Sequence, residues 1–156
     1  MGNSVYRITD EPAPGAMSAL VVNPLWPFIA VMFGGVWLSW SWFALNGVAV
    51  GSPSKNKEWM LIAGGLLGAV MLMLGLMYLA DSGLVEQVYL KYLFLILVVW
   101  KLGITYALYA LQSHTIELYE YYGGTIKNGV LVVVASFFVS PMILSSLPYY
   151  AQLLLR

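Results

Sequence analysis

The sequence predicts an all-α fold: a polytopic integral membrane protein, built as a bundle of four transmembrane helices. Two observations predict it. Four apolar blocks, at about residues 24–50, 58–80, 88–111 and 129–150, take up nearly the whole chain. Each is close to the roughly 20 residues that a helix rising about 1.5 Å per residue needs to cross about 30 Å of hydrocarbon. The composition agrees. Apolar residues make up 61% and charged residues 9%, against about 45–50% and about 25% in an ordinary soluble domain.

Residues 1–23 form a polar N-terminal arm ahead of the transmembrane domain at 24–156. The arm carries Asp10, Glu11, Pro12 and Pro14. It lacks the basic start and immediate apolar core of a secretory signal, so the first block is expected to act as an uncleaved anchor. Helix one opens at Asn23-Pro24. Asn is a good N-cap, and Pro suits a first turn whose N–H has no partner. Trp26 is placed for a membrane interface. Asn46-Gly47 ends the helix, and Gly51-Ser52-Pro53-Ser54 forms a turn.

Helix two follows Lys55, Lys57 and Glu58 and stops at Asp81-Ser82-Gly83. Helix three is apolar apart from Glu86, Lys91 and Lys101. The polar stretch Gln112–Gly129 extends it past the membrane surface until Gly123-Gly124 stops it. Helix four starts near Val130, with Pro141 as an interior kink and Pro148 near its end. A faint repeat is visible. WFALN (42–46) and LYALQ (108–112) each precede a loop, a Lys-Asn pair and a new apolar run.

Basic residues divide evenly between the two sides in this topology. Lys55, Lys57 and Lys127 stand against Arg7, Lys91 and Arg156. Only Lys55 and Lys57 form a pair in a short loop, where the positive-inside bias acts, so both termini are expected outside the cytoplasm.

Several function classes drop out. The net charge is zero and no basic tract exists, so nucleic acid is not an expected partner. Cysteine is absent, which removes disulfides, thiolate catalysis and Cys-held metals. One histidine rules out bis-His haem within the chain. No hydrolase elbow, zinc-protease or P-loop motif occurs, and no cofactor is expected.

Three groups of residues stand out. The first is a small-residue face on helix two, Gly64, Gly68 and Gly75, with Gly35 and Ser39 on helix one and Ser136 and Ser140 on helix four. Small residues let helix backbones approach in lipid, so these positions suit packing within the bundle or against a partner. The second is Lys101 with Thr105 and Gln112, a polar stripe on one face of helix three. A mid-membrane lysine is costly and points to an ion path, an anion site or an ion pair. The competing reading, which weighs slightly more, shifts the span and lets Lys101 snorkel to the headgroups. The third is His114, Glu117 and Glu120, at metal-ligand types and helical spacing. A solvated helix end explains them more simply. Trp37, Trp40 and Trp42 with Phe33 and Phe43 suit either packing or a lipid or quinone cleft.

The expected function is a non-catalytic membrane subunit or assembly factor of a larger membrane complex, with the lipid bilayer and other subunits as partners. The alternative is a small oligomeric channel or transporter using Lys101, Thr105 and Gln112. A weaker alternative is a lipid- or quinone-contacting enzyme subunit. Compact loops suggest a bacterial inner membrane.

Overall fold

The computed structural model describes Pro12 and residues 15–156. The N-terminal arm up to Glu11, with residues 13 and 14, lies outside the described residues. Among the described residues are six α-helices and no strand: α1 Leu25–Gly34, α2 Val36–Val50, α3 Lys55–Asp81, α4 Gln87–Tyr121, α5 Val130–Ser145 and α6 Tyr149–Leu155. Two stretches are long and apolar enough to cross a membrane, Lys55–Asp81 of α3 and Lys91–Tyr121 of α4.

The largest departure from expectation is in the first apolar block. It is not one helix but two, separated at Gly35, whose φ of 83° is open to glycine and strained for other residues. The break reverses the chain. Ser39 donates to the carbonyl of Pro27 at 2.7 Å, the amide of Val22 donates to Asn46 Oδ1 at 3.0 Å, and Trp26 and Trp42 flank the same glycine, Gly129. These pairings run antiparallel, so α1 and α2 form a hairpin whose two open ends lie together. A Cβ on Gly35 would also collide with the backbone of Leu155 and Arg156. The tip of the hairpin is therefore fixed both by its own backbone and by what packs beneath it.

The fourth block is likewise shorter than expected. α5 runs through Pro141 and ends at Ser145, and Pro148 starts α6 rather than lying inside one long helix. α5 packs beside α1 in the same direction, with Gly34 against Ser136 and Phe33 edge-on to Phe137 at 6.1 Å. α6 turns back, and its last residues reach the hairpin tip. Asn side chains start both α1 and α5. Asn23 Oδ1 accepts from Leu25 N, and Asn128 Oδ1 accepts from Val130 N, each at 2.9 Å. Each bond satisfies an amide that has no partner within the helix.

α3 and α4 form the long antiparallel pair against which the rest packs. The buried stripe of α3 is Glu58, Ile62, Gly65, Ala69, Met73 and Leu76, spaced three and four apart as one helical face requires. Gly68 leaves room for the Trp100 ring and Gly65 for Trp40 and Ile104, and the Trp100 indole N–H donates to the carbonyl of Gly65 at 3.0 Å. Gly64 and Gly75 face outward, where an added Cβ would meet nothing within 4 Å. The main core gathers Val31, Val36, Trp40, Phe43, Ile62 and Leu108. A second cluster, Val21, Ala49, Val50, Ile116 and Tyr119, closes the end of the molecule that holds the α2–α3 loop.

The two kinds of glycine on α3 give a direct check. Gly68→Leu drives a side chain into Trp100 and should cost about 1–3 kcal/mol as overpacking does. Gly64→Leu should stay within about 0.5 kcal/mol of wild type, as open surface changes do. Thermal unfolding in detergent micelles measures both, and equal losses would contradict this packing.

Candidate functional site

The most elaborate polar arrangement lies where α2, α3 and α4 meet near the α2–α3 loop. Glu58, in the first turn of α3, is 1% exposed. Its Oε1 accepts from the hydroxyls of Ser52 at 2.7 Å and Ser54 at 2.9 Å, and its Oε2 accepts from Gln112 Nε2 at 2.6 Å. Gln112 is fully buried on α4. Its amide nitrogen also donates to the carbonyl of Phe43 at 2.6 Å, and its Oε1 accepts from Asn46 Nδ2 at 3.1 Å. Asn46 then clamps Val22, donating to its carbonyl and accepting from its amide, each at 3.0 Å. One chain of bonds thus links the residues before α1 to α2, α3 and α4.

Each member suits its place. A carboxylate in the first turn of a helix is favoured by the positive end of the helix dipole. A carboxylate only accepts and an amide nitrogen only donates, so Glu58 and Gln112 are complementary. No basic side chain is among the partners of Glu58. Gly47 leaves the space, since a Cβ there would collide with Glu58 and crowd Gln112. Buried polar groups of this kind fix one arrangement only when every member is satisfied, as here.

The predicted polar stripe is on one buried face of α4, but its members are used separately. Thr105 accepts from the Trp40 indole at 2.9 Å and donates to the carbonyl of Lys101 at 2.7 Å. Lys101 is turned into the protein. It is 6% exposed, and its ammonium donates to the carbonyl of Leu153 at 2.6 Å. That carbonyl is in the last turn of α6, which has no partner within the helix, so Lys101 caps α6.

His114, Glu117 and Glu120 are exposed on the projecting end of α4. Among the described residues no group of three His, Asp or Glu side chains is placed to hold a metal ion. Ser39 and Gly35 belong to the α1–α2 hairpin, and Ser136 packs against Gly34. Of the aromatic set, Phe43 is core, Trp37 and Trp40 line one cleft beside α2, and Trp42 lines another.

That second cleft runs between α2 and α5. An outer cavity of about 390 Å³ has Lys127, Asn128 and Trp42 at its mouth, and an inner one of about 160 Å³ continues to Ser140. Leu38 and Val132 line both, so the cavities meet there. The mouth is held rigidly, because Lys127 N donates to the carbonyl of Val21 at 2.8 Å beside the residue that Asn46 clamps. Two buried polar atoms, Trp37 Nε1 and Ser140 Oγ, have no hydrogen-bond partner, and both residues line the inner cavity.

Sequence reading placed Gln112 correctly on a buried face but missed Glu58, Ser52, Ser54 and Asn46 as its partners. The available signal was the pentapeptide echo. Its final residues, Asn46 and Gln112, are hydrogen-bonded to each other.

Gln112→Leu leaves a buried carboxylate and Asn46 each short of a partner and should cost about 2–3 kcal/mol. Adding Glu58→Leu should recover part of that loss, because removing both partners is gentler than removing one. Chemical denaturation of the single and double variants measures the coupling, and strict additivity would refute it. Compared with family models, curated proteins and solved structures, the chain matches none.

Proposed function

We propose that the protein is a non-catalytic, membrane-embedded subunit or assembly factor of a larger membrane complex. The observation that carries this reading is where the polar groups go. Glu58, Asn46, Gln112, Thr105 and Lys101 are buried and bonded to groups of the same chain. Large apolar side chains face outward along α3, α4 and α5, among them Leu67, Met71, Val99, Tyr106, Leu131 and Phe138. Such a molecule suits hydrocarbon surroundings, and its interior polar residues serve as fasteners. The channel reading asks Lys101, Thr105 and Gln112 to face an open path, and their bonds point the other way.

In this reading α3 and α4 cross the bilayer. From Lys91 to Gln112 along α4 is about 31 Å at about 1.5 Å per residue, and the hydrocarbon layer is about 30 Å thick. Lys101 then lies near mid-depth, turned inward. The α1–α2 hairpin, with α1 only about 15 Å long, enters and leaves by the same face. Non-helical backbone at Gly35 is acceptable at that depth because protein surrounds it. The expectation that the N-terminal residues lie opposite the α2–α3 loop gives way, because Val22 is bonded to Asn46 near that loop. Lys55, Lys57 and Lys127 share this end, which the positive-inside rule assigns to the cytoplasm. Compact loops fit a bacterial inner membrane.

Partner contact is supported by Gly64 and Gly75 on α3 and Gly103 on α4. All three are open outward and smooth enough for another helix to approach.

Two experiments test the reading. The chain has no cysteine, so single-cysteine variants report sidedness without background. Asn23→Cys and Ser54→Cys should label from one side of sealed membranes and Ser82→Cys from the other. Labelling of positions 23 and 54 from opposite sides would refute the hairpin topology. Native mass spectrometry in mild detergent should find a foreign subunit in fixed ratio, lost from a Gly64→Leu/Gly75→Leu variant that still folds. A pure homo-oligomer would refute the accessory role.

A further inference from the structure

We infer that the α2–α5 groove is a binding slot for one acyl chain of an anionic membrane phospholipid, with its phosphate at Lys127. The inference rests on the membrane reading above and goes beyond it.

The groove has the shape and charge order that such a ligand requires. Its walls are mainly apolar, from Leu38 and Leu45 on α2 and Val132 and Val139 on α5, with Ser41, Ser136 and Ser140 among them. Lys127 stands at its mouth, exposed, and among the described residues no acidic side chain lines either cavity. An anion at the mouth therefore meets one cation and no opposing charge. The larger neighbouring cleft, about 610 Å³, shares Met17, Ser41 and Leu45 with the first but has no charged residue in its lining. Charge complementarity thus distinguishes the first groove from the second.

Depth agrees with this assignment. The α5 wall from Gly129 to Ser140 is about 16 Å long at about 1.5 Å per residue, close to the roughly 15 Å of one leaflet in a 30 Å hydrocarbon core. Trp26 and Trp42 pack on Gly129 beside Lys127, and tryptophan is favoured at headgroup level. The slot is therefore confined to the leaflet that the hairpin enters. The mouth is also preorganised. Lys127 is tied by its backbone to Val21, and Val22 is tied by two bonds to Asn46. A lysine with a fixed backbone can hold a phosphate above the groove with less ordering on binding.

The test uses the full chain in detergent, native mass spectrometry, and added phosphatidylglycerol or phosphatidylcholine with matched acyl chains. Wild type should retain phosphatidylglycerol at least fivefold over phosphatidylcholine. Lys127→Gln should bring the two to parity. Val132→Trp, which fills the groove, should lose both lipids, and Val48→Trp in the other cleft should behave as wild type. Equal retention of the two lipids by wild type would overturn the proposal, as would phosphatidylglycerol retention that survives Val132→Trp. Lys127 is on the surface, so its variant decides the question even where the groove variant does not fold. Release of the protein from membranes by alkaline carbonate would instead refute the membrane reading on which the slot depends.

Discussion

The hydrogen-bonded chain from Glu58 through Gln112 to Asn46 is the constraint on which the rest of the structure depends. It joins three helices and the segment before α1 in one place. Buried polar bonds have strict partner and distance requirements, so together with close packing they set the register of the helices. A slip of one residue in α4 would turn Gln112 away from Glu58, Phe43 and Asn46 together. The glycine at position 47 and the serines at 52 and 54 are then consequences of that choice, supplying room and donors.

A second constraint is the reversal at Gly35. A helix of α1 and α2 joined end to end would put Val22 and Asn46 at opposite ends. Folding them back brings both to the same end and lets one asparagine close the hairpin. The space left beneath the short hairpin is taken by α6, whose backbone meets Gly35 and whose last turn is held by Lys101. Lys101 and Glu58 thus do related work at two depths. Each satisfies helix ends or loop groups that would otherwise be buried without partners.

Composition and block lengths were enough to read an all-helical chain, but of the four spanning helices expected only α3 and α4 are long and apolar enough to cross a membrane. The stops at Asp81 and near Gly123 were legible too, because glycine and polar residues end helices for local reasons. The break at Gly35 was not. FGGVW sits inside an unbroken apolar run, and periodicity cannot tell a spanning helix from two half-helices packed on each other. Gly64, Gly68 and Gly75 share one face by spacing, yet only Gly68 touches the bundle, since the burying face is set by Trp100 and Ile104 of α4. In the sequence Glu58 is marked only by its place with Lys55 and Lys57 at the start of helix two. Its burial depends on Gln112, 54 positions away, and such a pairing has no local signature.

The hairpin has a consequence for how the chain is made. Residues 25–50 are made before the groups that hold them: Gln112 for Asn46, Gly129 for Trp26 and Trp42, and Ser136 for Gly34. Neither arm is long enough to cross a bilayer by itself. The hairpin therefore cannot settle until α4 and α5 exist. Its docking follows theirs: α4 and α5 receive a hairpin made before them.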